Sequence, residues 1–492
     1  MSERSYIACD LGAGSGRVIL GRLRDGKLAL DEIHRFVSNP VKIRGTLRWN
    51  IVQIFDELKI GLSKIASSGL APESVSVDSW GVDYVLLNAR EPMLSLPYHY
   101  RDARSDATYD AALKSPGPEL IFSETGIQFM PLNTLYQFIA EVEQNGDLLK
   151  VADQFLNIAD YLNFLFCGVG KVEESMASTT QMYNPTTRNW SEKLIEAFHF
   201  PKRIFPEVVP SGTKLGTLLK ALQEETGLPE IQVVATCSHD TGASVAAVPA
   251  AGEDWAFLSS GTWSLIGVEL PAPLINAEVR AQNFTNEIGY GSTTRFLKNI
   301  AGMWLLQECQ RAWQQEGRQF DYDQLTKLAS ESTPFRSLIN PNSARFAKPG
   351  GMPERIAAFC RESGQAEPET PGQFVRCVLE SLALLYGRML AELERLTGRK
   401  IRNLHVVGGG GKSMLLNQFA ATATGCTVLA GPVEATAAGN VLIQAIALGH
   451  IESLAKARQI VRASFSIQEF QPEPSAEWQQ AAARFAQLDL QL

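Results

Sequence analysis

One format occurs twice in this chain and narrows its possible folds more than any other feature. At residues 6–23 an apolar run, YIACDL, meets a glycine turn, and a second apolar run, GRVILGRL, follows. At residues 255–270 the same order returns in WAFLSSGTWSLIGVEL. Strand, glycine turn, strand reads as a β-hairpin. A dinucleotide-binding unit is excluded, because its glycine loop must open a helix. No residue-level repeat accompanies the match, so it points to two similarly built domains rather than a solenoid. The small, turn-rich run VPAAGED at residues 248–254 reads as the linker. The expected domains are residues 1–247 and 248–492.

Elsewhere strand and helix patterns alternate, which sets the class as α/β. Asp25 and Gly26 mark a hairpin turn after the second strand-like run. A helical pattern runs from about Ile51 to Ser68, and SVSVDSWGVDYVLL alternates like strands broken at Trp80 and Gly81. Phe374, Val378, Leu382, Leu385, Met389, Leu393 and Leu396 recur at steps of three and four, giving one buried helical face that Gly398 caps. TAAGNVLIQAIALG reads as another helix, and PEPSAEWQQAAARFAQLDLQL as a terminal capping helix.

Composition excludes several classes. The formal net charge is −8 and no dense basic stripe occurs, which argues against a nucleic-acid partner. No apolar run approaches the roughly 18 residues that a membrane helix needs. The opening MSERSYIACDLG has no long apolar core and does not read as a signal peptide. Seven scattered cysteines, none in a Cys-x-x-Cys pair, fit a reduced cytoplasmic compartment without a zinc site. The spacing of Cys360 and Cys377 does not decide whether they form a bridge.

The stretch LHVVGGGGKSMLLNQ (residues 404–418) imitates a Walker phosphate loop, but its spacing is wrong. That motif needs a glycine five residues before the Gly-Lys-Ser, and counting back from Gly411 reaches Val406, inside a strand. The run still permits close approach to the backbone at a helix start, where negative charge is favoured. A tight turn with no ligand would look the same.

Four stretches carry candidate chemistry. In ACDLGAGSGR (residues 8–17), Asp10 ends a strand and the turn over Ala13, Gly14, Ser15 and Gly16 precedes Arg17. Backbone N–H groups of such a turn can hold phosphates, and Asp10 can hold magnesium through water. SSGTWS (residues 259–264) stands at the equivalent place in the second half. ATCSHDTGAS (residues 235–244) delivers His239, Asp240 and Thr241 into a turn, where Asp240 suits a general base. Asp240 would equally serve as a helix N-cap. In DSWGVDY and YHYRDAR (residues 78–84 and 98–104), aromatic residues interleave with acids and arginines, as suits a sugar. Trp80, Gly81 and Arg101 are the candidates there, whereas Arg104 is expected in a surface salt bridge.

Taken in order, DLGAGSGR, SWGVDY, YRDAR, SHDTGAS, SSGTWS, KNIAGMWLLQ and VVGGGGKSMLLNQ resemble carbohydrate kinases of the FGGY type across about residues 6–449. The resemblance implies the ATPase fold of actin, hexokinase and heat-shock-70 chaperones: two similarly built, ribonuclease H-like domains flanking a deep cleft. It implies an ATP- and Mg2+-dependent transfer of phosphate to a ketose, L-rhamnulose at O1, with L-fuculose or xylulose as alternatives. A non-catalytic ATP-driven binding module is the reading from another class. The family pattern assigns Ala13 to Arg17 to the ATP phosphates and Thr262, Gln307 and Gly409 to the nucleotide. It assigns Gly81, His239, Thr241 and Asn299 to the sugar, Asp240 to proton acceptance and Asp10 to the metal. Lys412 departs from the pattern, which has a neutral polar residue there. The implied partners are the ketose and ATP, with no nucleic acid and no membrane, in a monomer or small homo-oligomer.

Overall fold

The computed structural model describes residues 3–488, so residues 489–492 of the expected terminal helix lie outside the described residues. The strands of the two main sheets are β1 (Arg4–Leu11), β2 (Ser15–Arg24), β3 (Lys27–Val37), β4 (Ser74–Ser79), β5 (Thr213–Thr217), β6 (Gln232–Ala235), β7 (Trp255–Ser260), β8 (Trp263–Leu270), β9 (Thr285–Ile288), β10 (Thr294–Ala301), β11 (Asn403–Val407), β12 (Thr427–Ala430) and β13 (Gln468–Phe470). The helices that matter below are α1 (Ile51–Ser67), α2 (Asp240–Ala246), α3 (Trp304–Gln315), α4 (Pro371–Thr397), α5 (Met414–Thr424), α6 (Ala435–Ala447) and α7 (Ala476–Gln487).

The chain forms two compact units, and the first is not continuous in sequence. Unit 1 comprises Met1–Pro249, Glu269–Phe296 and Ala435–Phe465; unit 2 comprises Ala250–Val268, Leu297–Glu434 and Ser466–Leu492. The first crossover falls beside the irregular stretch around residue 250, and two later segments return to unit 1.

In unit 1 the sheet order is β5-β6-β4-β1-β2-β3. Both β1 and β6 run parallel to β4, while β2 is antiparallel to β1. The β2–β3 turn uses Asp25 and Gly26, both at positive φ, as the hairpin pattern requires. Helix α1 buries Ile51, Ile54, Leu58, Leu62 and Ile65, a three-four repeat along one face, and Asn50 caps its start. Helix α6 packs against β1, β4 and α2. Its crossing with α2 is backbone-close: a Cβ on Gly439 would stand 1.8 Å from the carbonyl oxygen of Ala243. Buried polar side chains fix its register. Asn440 Nδ2 donates to Asp78 Oδ2 at 2.6 Å, and Gln444 Nε2 donates to Asn440 Oδ1 at 2.7 Å and to the Ile7 carbonyl at 2.9 Å.

Unit 2 repeats the plan. Its strands follow the order β8-β7-β11-β12-β13 within a seven-stranded sheet that β9 and β10 complete, with β11 parallel to both β7 and β12, and β8 antiparallel to β7. Helix α4 has the expected buried face; Thr370 caps its start, Pro371 takes its first turn and Gly398 closes it in the left-handed region. Helix α7 packs on α4 and α5, with Trp478 edge-on to Phe335 and Phe419. No helix among the described residues is long and apolar enough to cross a membrane. All seven cysteines are buried free thiols, Cys360 and Cys377 included.

Because the α2–α6 crossing has no room for a methyl group, Gly439→Ala is expected to cost about 1–3 kcal/mol, the usual range for overpacking. Gly146→Ala, where a Cβ meets nothing within 4 Å, should be near neutral. Urea unfolding followed by circular dichroism compares the two, and equal midpoints would refute the close crossing.

Candidate functional site

Three parallel strands of unit 1 end at one edge of its sheet. Strand β1 ends with Asp10 and Leu11, β4 leads into Trp80 and Gly81, and the chain beyond β6 arrives at His239 and Asp240. The edge of parallel strands at their carboxyl ends is where open α/β sheets bind ligands. The Ser79 amide donates to the Ser238 carbonyl at 2.9 Å, and Ser79 forms a single parallel bridge with His239. These contacts bring Trp80 and Gly81 beside His239, Asp240 and Thr241.

The β1–β2 turn is closed by the Gly12 amide on the Ser15 carbonyl at 2.9 Å, leaving Gly14 exposed with open space where a side chain would be. Gly16 is needed for packing, since a Cβ there would sit 2.2 Å from the Phe36 ring. Arg17, directly across the hairpin from Asp10, forms an ion pair with its carboxylate. Asp78 neighbours Asp10 in the parallel register. Burial, and then the charge of Asp10, push the Asp78 carboxyl well above the usual carboxylate range. Asp78 Oδ1 is buried with no hydrogen-bond partner. No group of three or more His, Cys, Asp or Glu residues placed to hold a metal ion occurs among the described residues. Asp10 and Asp78 nevertheless supply hard oxygen donors of the kind magnesium prefers, and the orphaned oxygen of Asp78 fits such a role.

Asp240 is the first residue of α2, and His239 is its N-cap residue, so the alternative N-cap role for Asp240 does not hold. Asp240 Oδ1 instead accepts from the Thr241 amide at 2.5 Å and from Thr241 Oγ1 at 3.1 Å. The Asp240 side chain keeps 32% of its surface exposed. A carboxylate at a helix start that is both anchored and accessible can take a proton from a bound hydroxyl.

The Trp80–Gly81 loop is held from below by Asp83, which is fully buried. Asp83 Oδ2 accepts from Trp49 Nε1 at 2.6 Å, Trp80 Nε1 at 3.0 Å and the Tyr100 amide at 3.1 Å, while Oδ1 accepts from Gln137 Nε2 at 3.0 Å. Burial raises its carboxyl to about 6, against the pull of these donors. Val82 sits at φ 70°, strained for a β-branched residue; Thr179 Oγ1 accepts from its amide and Thr134 Oγ1 donates to its carbonyl. Gly81 is closely approached as well, since a Cβ there would lie 2.8 Å from Thr179 Oγ1. Trp80 faces Trp49, which stacks on His99, and the Arg101 amide donates to His99 Nδ1. Arg101 is linked to Trp80 through this column of rings and is not itself at a strand end. Arg104 corrects its expectation. It pairs with Glu141 at 2.6 Å with side chains only 5% and 2% exposed, because the Tyr98 ring and Tyr84 close over it.

In unit 2 the corresponding strand ends carry the other candidates. Thr262 lies in the β7–β8 turn, and its Oγ1 donates to Gln307 Oε1 on α3 at 3.2 Å. The amides of Met303 and Trp304 bond to the carbonyls of Gly261 and Thr262, so the turn and the start of α3 form one piece. Asn299 is half-buried on β10, upstream of that piece. The glycine run after β11 closes as a short 3-10 turn, Gly409–Lys412, not as a wide anion nest. Gly409 is exposed, whereas Gly410 packs so tightly that a Cβ would meet Ser260 Oγ at 2.0 Å.

Sequence reasoning missed Asp78 and Asp83 as individuals, although both lie in the DSWGVDY stretch. It also missed Asn440 and Gln444, whose four-residue spacing within an apolar helix was a legible polar stripe.

The family model for the N-terminal domain of FGGY carbohydrate kinases matches residues 5–247, and the C-terminal domain model matches residues 256–448. A rhamnulokinase of Bacteroides thetaiotaomicron is 42% identical, covering 98% of this chain and 99% of its own. A rhamnulokinase of Enterococcus faecalis is 40% identical, covering 96% and 95%. A structure of Plasmodium falciparum glycerol kinase with ADP superposes with a TM-score of 0.79 at 14% identity, covering 99% of both chains, which shows the shared fold. With both halves matched and relatives aligned over nearly their full length, the chain belongs to the FGGY family of carbohydrate kinases.

Proposed function

We propose that this kinase transfers the γ-phosphoryl group of ATP to O1 of L-rhamnulose, giving L-rhamnulose 1-phosphate and ADP, as a cytoplasmic step of L-rhamnose degradation. The observation that carries the reading is the half-buried but accessible Asp240 carboxylate, anchored by Thr241 beside Gly81 at the strand-end edge. The names of the full-length relatives select the ketose.

Gly81, His239, Thr241 and the Trp80 face orient the sugar, with Arg101 and Asn299 as further contacts. Residues Ala13, Gly14, Ser15, Gly16 and Arg17 hold phosphate oxygens through turn amides and a guanidinium. Thr262, Gln307 and Gly409 hold the nucleotide in unit 2. The attacking hydroxyl oxygen forms a bond to the γ-phosphorus as the bond to the ADP oxygen breaks, and the hydroxyl proton passes to Asp240. Asp240 needs hydrogen-bond reach more than a shifted pKa, because the alcohol loses its proton late in phosphoryl transfer. Mg2+, when bound, supplies charge neutralisation on the phosphates, and Asp10 with Asp78 beside it would hold it.

A coupled assay of ADP release with a panel of ketoses tests the reading. L-rhamnulose should give the highest kcat/KM; preference for L-fuculose or xylulose would reassign the substrate, and ADP release indifferent to every ketose would favour an ATP-driven binding module. Asp240→Asn should keep ATP binding while turnover falls about 10²–10⁴-fold, the usual worth of a positioned base. Near-normal turnover would remove Asp240 from that role. In unit 2, Gly410→Ala should raise the KM for ATP about tenfold through the clash with Ser260, and Ser260→Gly in the same chain should recover most of it. An unchanged KM in Gly410→Ala would detach the glycine run from nucleotide binding.

A further inference from the structure

Behind His239 stands a buried ion pair with no part in the steps above. Arg295, at the start of β10, has a side chain 0% exposed, and Glu287 on β9 is 6% exposed. Arg295 Nη1 lies 3.1 Å from Glu287 Oε2, and its Nε and Nη2 both donate to the Ile288 carbonyl at 3.1 Å. Nη2 also lies 3.2 Å from His239 Nδ1. On the other side of the imidazole, Nε2 is 3.4 Å from Asp240 Oδ1. Glu287, Arg295, His239 and Asp240 therefore form one series within unit 1.

A guanidinium has only N–H donors and keeps its proton in proteins. The contact from Nη2 to Nδ1 is a hydrogen bond only when Nδ1 is unprotonated. Glu287 Oε2, 3.3 Å from Nδ1, pulls the other way. Two features decide in favour of Arg295. The contact from Arg295 Nη2 has hydrogen-bond geometry whereas Glu287 Oε2 makes no hydrogen bond where it stands, and the Ile288 carbonyl pins the guanidinium so that it cannot swing aside. A proton on Nδ1 would face an N–H of Arg295 in a buried setting where such repulsion is poorly screened. Glu287 in turn cancels the guanidinium charge, so the ring faces a neutral pair.

We propose that Arg295 is a positioning residue for phosphoryl transfer: it holds His239 as the Nε2–H tautomer, whose proton faces Asp240. The proposal rests on the reading of Asp240 as the proton acceptor. Thr241 N–H, Thr241 Oγ1 and His239 Nε2 all address the same oxygen, Oδ1. With Oδ1 so engaged, Oδ2 is the oxygen left to accept the hydroxyl proton.

Protein labelled with 15N-histidine, without sugar, gives the test in long-range 1H–15N spectra, with His239 assigned by its loss in His239→Asn. The wild type should show His239 neutral and protonated at Nε2. Arg295→Lys, which keeps a donor, should preserve that tautomer. Arg295→Met should switch the proton to Nδ1, facing Glu287, and lower kcat/KM for the ketose on the order of 10- to 100-fold with the KM for ATP unchanged. A wild-type His239 protonated at Nδ1 or at both nitrogens overturns the proposal, as does an unchanged tautomer in Arg295→Met. If Arg295→Met does not fold, the wild-type and Arg295→Lys spectra still decide. A wild type that phosphorylates no ketose would overturn the functional reading instead, since the spectra need no substrate.

Discussion

The organisation of unit 1 depends on β4 lying between two strands that run in its own direction. Parallel pairing with β1 on one side and β6 on the other forces three chain segments to leave the sheet at the same edge. Asp10, Gly81 and Asp240 are far apart in sequence, and this pairing alone makes them neighbours. The antiparallel return of β2 then fixes the glycine turn and Arg17 against Asp10. Unit 2 applies the same rule with β11 between β7 and β12, so Thr262 and the glycine run leave its sheet at one edge.

What holds the edge in place is packed beneath it. The returning helix α6 crosses α2 with almost no side chain between them, and Asn440 and Gln444 tie it to Asp78 and to the backbone of β1. Buried polar groups of this kind cost free energy unless every partner is present, so their positions are strongly specified. The same holds for Asp83, which gathers two indole N–H groups, an amide and a backbone N–H beneath the strained Val82 turn. Strain at one residue persists there because the surrounding bonds over-determine it.

The two acids nearest the proposed chemistry sit in opposite surroundings. Asp78 is sealed in beside Asp10 and pushed toward its neutral form, whereas Asp240 remains open to solvent with one oxygen committed to Thr241. Burial, not residue type, separates these two carboxyls.

Much of this was already written in the sequence. The strand–turn–strand format predicted both hairpins, because glycine turns and period-two alternation are local properties. The apolar repeat of α4 and its Gly398 cap were legible for the same reason. The spacing of glycines excluded a phosphate loop at residues 408–411, and the structure closes that run as a short turn. Side-chain surroundings were not legible. Arg104 looked like a surface ion pair, yet Tyr84, Tyr98 and Glu141 enclose it, and those residues converge only on folding. Nor could sequence order show that residues 269–296 and 435–465 belong with unit 1, where they bring Glu287, Arg295 and Asn440 to the site. Local chemistry determined the turns, the helix faces and the candidate motifs. Long-range pairing decided which acids are buried and which histidine nitrogen meets an arginine, because those outcomes depend on neighbours distant along the chain.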